Sequence, residues 1–76
     1  MIKISLKLFV TLSRFLPESS KTYEIAINKT IDDLITDLGI PSGLVKLIFV
    51  NGKLQDATYV LQEGDRVGLF PPVGGG

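Results

Sequence analysis

Thr30-Ile31-Asp32-Asp33-Leu34-Ile35-Thr36-Asp37-Leu38-Gly39-Ile40-Pro41 carries the start, the buried face and the stop of one short helix. Thr30 is a good N-cap, because its side-chain oxygen can accept from a backbone N–H of the first turn. Asp32 and Asp33 add negative charge at the end of the helix where the dipole favours it. Ile31, Leu34, Ile35 and Leu38 fall at i, i+3, i+4 and i+7, which makes a single apolar stripe. Gly39 and Pro41 then end the helix. A helix this short, apolar on one side only, is built to lie across a sheet.

Downstream, Leu47 to Val50 is β-branched and aromatic enough for a strand, and Asn51-Gly52 is a strong two-residue hairpin signal, with Lys53-Leu54 opening the return strand. After a loop through Gln55 to Glu63, Gly64-Asp65 turns the chain into a last strand, Arg66 to Phe70. Upstream, Ile2 to Val10 alternates, with Ile2, Ile4, Leu6, Leu8 and Val10 on one face and Lys3, Ser5, Lys7 and Phe9 on the other. Thr11 to Leu16 predicts a turn of helix before Pro17, and a second strand is expected around Thr22 to Ile27, with Tyr23, Ile25 and Ile27 on one face. The expected architecture is α+β: one mixed sheet with one main helix packed across it, over residues 1–70, followed by an extended tail over 71–76. The expected core holds Ile4, Leu6, Ile25, Leu34, Leu38, Ile48 and Val67.

Seventy-six residues allow one domain. Apolar residues make up 45% and charged ones 21%, a balance that folds. Eight Lys+Arg against eight Asp+Glu leave no excess charge for a phosphate-neutralising stripe, so nucleic acid is not an expected partner. Lys3 and Lys7 interrupt the apolar first strand, which excludes it as a membrane span or signal-peptide core, and a cytoplasmic location is expected. Without Cys or His the chain lacks the commonest zinc and haem ligands, and its serines have no imidazole base. Asp33 and Asp37, at i and i+4, make a poor cation site and read better as a solvated helix face. No metal, bound cofactor or active site of its own is expected.

The tail is where chemistry remains. Gly74-Gly75-Gly76 lets the main-chain carboxylate of Gly76 enter a slot too narrow for side chains. Pro71 and Pro72 fix φ at two positions, so the chain leaves the last strand extended, through Val73, with a reach of roughly 20 Å from Pro71 to Gly76 at full extension. If the first and last strands bury Leu8 and Leu69 under the helix, Phe9 and Phe70 turn to the opposite face and form a docking patch beside that tail.

The run Gly64-Asp65-Arg66-Val67-Gly68-Leu69-Phe70-Pro71-Pro72-Val73-Gly74-Gly75-Gly76 closely resembles the ending of the MoaD/ThiS family of sulfur-carrier proteins, most specifically the molybdopterin synthase small subunit type. Met1-Ile2-Lys3-Ile4, Leu8-Phe9-Val10 and Phe49-Val50-Asn51-Gly52 look like that family too. The resemblance implies a β-grasp, ubiquitin-like fold. It also implies a monomer when free, whose Gly76 is adenylated by a partner adenylyltransferase of the ubiquitin-activating type, using ATP and Mg²⁺. Sulfur attack would then give a thiocarboxylate, presented inside a larger synthase subunit for molybdenum or tungsten cofactor synthesis. By position, the family's hydrophobic interface falls on Phe9, Leu54 and Phe70. The short Gly39 to Lys46 segment is closer to the thiamine-type carrier, and a ubiquitin-like modifier joined through Gly76 to lysines is the other alternative.

A steric reading of the glycines makes a direct prediction. Gly75→Val places a β-branched side chain in the narrow approach and is expected to suppress ATP–pyrophosphate exchange by the cognate adenylyltransferase while leaving the thermal midpoint unchanged. Equal exchange by the two proteins would show that the glycines are not read by their size.

Overall fold

The computed structural model describes residues 1–72; the expectations placed on Val73, Gly74, Gly75 and Gly76 lie outside the described residues. Five strands, β1 (Ile2–Leu8), β2 (Tyr23–Ile25), β3 (Leu47–Val50), β4 (Lys53–Gln55) and β5 (Arg66–Phe70), form one sheet in the order β2-β1-β5-β3-β4. Among the described residues only the β1–β5 pair is parallel; β1–β2, β3–β4 and β3–β5 are antiparallel. One α-helix, α1 (Ile31–Asp37), packs on one face of the sheet, giving the expected β-grasp arrangement.

The helix forms for the reasons its sequence gives. Thr30 Oγ1 accepts from the Asp33 N–H at 3.2 Å, while the Asp33 carboxylate accepts from the Thr30 N–H at 3.0 Å, a reciprocal capping box. Those Thr30 bonds, backbone first, hold the Asp33 carboxyl below its ordinary value. Asp33 is thus a cap residue, a more specific role than the solvated face expected of it. At the other end Gly39 takes φ +76°, its N–H donates to Thr36 O, and the Ile40 N–H reaches back to Ile35 O. This is a Schellman ending, with Ile40 buried beside it.

Ile4, Leu6, Leu8, Ile25, Ile48, Val50, Val67 and Leu69 of the sheet are buried with Ile31, Leu34 and Ile35 of the helix. Leu38 is half-buried against that core. Leu12, from the 3₁₀ turn Val10–Phe15, and Leu61 fill its ends.

Two expected strand ends differ. The first strand stops at Leu8, and Val10, expected on the buried face, is 71% exposed with φ +54°. The chain leaves the ladder there into the 3₁₀ turn, so alternation no longer governs where the side chain points. The second strand is only Tyr23–Ile25, and Ile27 is exposed because Asn28, at φ +65°, bends the chain away towards the helix.

Leu34 has no solvent exposure and anchors α1 to the sheet. Leu34→Ala is expected to cost about 2–5 kcal/mol in denaturant unfolding. A loss below about 1 kcal/mol would mean that the helix is not the principal cover of the sheet.

Candidate functional site

Strand β5 lies at the centre of the sheet and its last residue leads straight to the tail, so the site is built around it. Its buried side chains, Val67 and Leu69, face the helix. Alternation turns Arg66, Gly68 and Phe70 to the open face. In register, Gly68 has Lys7 of β1 on one side and Phe49 of β3 on the other, and Phe49 pairs in turn with Leu54 of the edge strand β4. Phe70 pairs with Leu47.

Phe9 follows β1 but is held to the sheet by its N–H donating to Leu69 O at 3.1 Å. Its ring lies on the open face, to which alternation turns it, and the parallel pairing of β1 with β5 brings it against that of Phe70. The two stack in parallel, with centroids 4.1 Å apart and 3° between planes, and Phe49 and Phe70 meet edge to face at 5.5 Å and 78°. Such aromatic pairs are worth about 0.5–1.5 kcal/mol beyond their area. Phe9 and Phe70 are half-buried, partly by one another, and not fully exposed. Leu54, 62% exposed, lies past Phe49 on the same row and is the outer edge of this apolar face.

Gly68 leaves the sheet surface open beside the stacked rings. A Cβ at this position would lie 3.4 Å from Phe9 Cε2 and 3.9 Å from Phe70 Cε1, so any longer side chain would compete with the rings for space. Above it opens a groove of about 430 Å³ lined by the three phenylalanines, with Lys7 and Arg66 along it.

A polar cluster fixes where Arg66 enters this face. Asn51 and Gly52, at φ +54° and +83°, make the tight β3–β4 turn. Asn51 Oδ1 accepts from the Arg66 N–H at 2.9 Å, and Asn51 Nδ2 donates to Asp65 Oδ1 at 2.9 Å. Asp65, only 4% exposed, accepts also from Tyr59 OH and the Gln62 N–H, each at 2.9 Å. Burial, with the Asp65 carboxylate beside it, pushes the Tyr59 phenol above its ordinary value.

Of the residues the sequence singled out, Phe9 and Phe70 meet in the groove and Leu54 stands at its margin. Pro71 is buried, so the chain stays packed on the domain until Pro72, where it becomes exposed. Phe49, Gly68, Lys7 and Arg66 were not picked out as site residues. The inward placing of Ile48 and Val50 already implies that Phe49 points outward; the pairing of Lys7 with Gly68 depends on a strand order that no local pattern carries. Among the described residues no cluster of Asp and Glu is arranged to hold a metal, and no helix is long and apolar enough to cross a membrane.

The family described as Mut7-C ubiquitin matches over residues 1–74. No curated protein matches the chain. Among solved structures it is similar to the small archaeal modifier protein 1 of H. volcanii, at 21% identity and TM-score 0.73 over 96% of this chain and 100% of that one. It is also similar to a putative molybdopterin converting factor, subunit 1, from Pyrococcus furiosus, at 24% identity and TM-score 0.72 over 96% and 100%. A third likeness is to the HVO 2177 protein of Haloferax volcanii, at 24% identity and TM-score 0.76 over 99% and 87%. At these identities the shared property is the fold.

Val10, next to the stacked Phe9, sits in a left-handed conformation that a β-branched residue rarely adopts. Val10→Asn, which suits that conformation and removes little buried surface, is expected to stabilise the domain by about 1 kcal/mol, read from the denaturation midpoint. A destabilised variant would show that the Val10 side chain, not the backbone turn alone, supports the Phe9 position.

Proposed function

The chain belongs to the Mut7-C ubiquitin family, and from that membership we propose that it is a carrier whose reactive group is its own C-terminal carboxylate. The observation that carries this reading is the joining of an aromatic face to the tail by a single strand. β5 places Phe70 in the stack with Phe9 and then runs directly into Pro71, Pro72 and the residues up to Gly76. A partner that docks on Phe9, Phe70 and Leu54 is thereby positioned to receive the tail, because the two share one backbone.

The chemistry follows from a carboxylate's weakness as an electrophile. An oxygen of the Gly76 carboxylate attacks the α-phosphorus of ATP in the active site of an adenylyltransferase of the ubiquitin-activating type, and pyrophosphate leaves. The carbonyl carbon of the acyl-adenylate then has AMP as a good leaving group. Hydrosulfide attacks that carbon, forming a C–S bond as the C–O bond to AMP breaks, and loss of the thioacid proton leaves a thiocarboxylate at Gly76. This chain supplies the docking face and a tail thin enough for the cleft; ATP and Mg²⁺ belong to the partner. The sulfur is then delivered in a larger synthase subunit, with molybdenum or tungsten cofactor synthesis as the pathway and the cytoplasm as the compartment. The resemblance of the Gly64 to Gly76 run supports that pathway over the thiamine one.

With ATP, Mg²⁺, a sulfur donor and its activating enzyme, the intact protein is expected to gain the mass of one oxygen-to-sulfur exchange, localised by fragmentation to Gly76. Deleting Gly76, or adding a residue beyond it, should abolish the change, since both displace the reacting carbonyl. Attachment of the intact protein to lysines of other proteins, with no thiocarboxylate formed, would instead establish a modifier.

A further inference from the structure

The groove over Gly68 has a composition unlike that of the chain as a whole. Its floor is backbone, since Gly68 has no side chain, and its apolar walls are Phe49 and the Phe9–Phe70 stack. Along it stand Lys7 and Arg66, both exposed, and no Asp or Glu contributes to its lining. The chain is neutral overall, with eight cationic and eight anionic side chains, so two cations without an acid around one apolar groove are a local bias. Lys7 is the register partner of Gly68, and Arg66 is two residues before it on the same strand, which puts both charges on the face where the floor is open.

Resting on the docking reading above, we propose that this groove receives one large apolar side chain of the activating enzyme, seated on Gly68 between Phe49 and the aromatic stack, with a carboxylate of the same enzyme beside it held by Lys7 and Arg66. Hydrophobic seating gives the contact its affinity, because a side chain buried in a pocket among aromatic rings sheds its water completely. The cations set its orientation and the rate of encounter, because exposed charges act at longer range than packing and are screened by salt. The carboxylate is specified by sign: an acid-poor, twice-cationic rim favours an anionic partner group and disfavours a basic one.

The test is a titration of the adenylyltransferase of the ubiquitin-activating type, purified from the same organism, with four forms of this protein at low and at raised salt. Wild type is expected to bind more weakly as salt rises. The Lys7→Glu/Arg66→Glu double variant, altered only at exposed positions, should bind about tenfold or more weakly at low salt and reverse that salt dependence, because raised salt screens the new repulsion. Gly68→Leu, which fills the groove, should bind at least about tenfold more weakly at both salts while retaining its circular dichroism spectrum. Phe70→Ser reports on the docking face itself and should lose binding in any case. If Phe70→Ser loses binding while the double variant binds like wild type with the same salt response, the paired carboxylate is overturned and the docking face stands. If Gly68→Leu is folded and binds like wild type, the seated side chain is overturned. Wild-type affinity in Phe70→Ser would overturn this inference together with the docking reading.

Discussion

Everything in this domain depends on β5 lying between β1 and β3. Without it the sheet is two antiparallel pairs, β1 with β2 and β3 with β4, that share no ladder. The parallel register of Ser5 to Leu8 with Arg66 to Leu69 joins the two ends of the chain, and the antiparallel register of Leu47 to Val50 with Val67 to Phe70 joins the middle to the end. Both ladders require backbone donors and acceptors to be fully paired in a buried strand, which leaves little freedom for its register. A one-residue slip would send Val67 and Leu69 to solvent and Phe70 into the core.

That constraint divides the sheet into a covered face and an open one. The inner face is closed by α1, whose capping box and Schellman ending confine the helix to Ile31–Asp37. The outer face carries the aromatic stack, Phe49 and two cations, with no element of the described residues packed over the groove. The buried core lies on one side of the sheet, so the outer face can present apolar surface without weakening that core. The Asn51–Asp65–Tyr59 cluster links the β3–β4 turn to the start of β5 and keeps the two halves of that outer face aligned.

Most of the fold was legible because its signals are local. Thr30, the Ile31–Leu34–Ile35–Leu38 stripe and Gly39 define the helix within one short segment, and Asn51-Gly52 defines its hairpin within two residues. The outward turn of Phe9 and Phe70 followed from period two in two strands. The stacking of the two rings did not, because it depends on the parallel pairing of β1 with β5. The same limit hid Asp65: as Gly64-Asp65 it reads as a turn, yet its carboxylate is buried by partners from the hairpin and the preceding loop. Val10 was misplaced for a different reason. Its β-branched side chain favours a strand, and only the chain's exit into a 3₁₀ turn sets its backbone at positive φ.

We propose that the open face around β5, and not the helix face, is where this protein meets the enzyme that acts on its tail. Amide chemical-shift mapping of the isotope-labelled protein, titrated with the purified adenylyltransferase, reads this directly. Perturbations centred on Lys7, Phe9, Phe49, Gly68 and Phe70, continuing into the terminal glycines, are the expected result. Perturbations centred on Asp32, Thr36 and Asp37 of the helix, with the Phe9–Phe70 region unchanged, would contradict it.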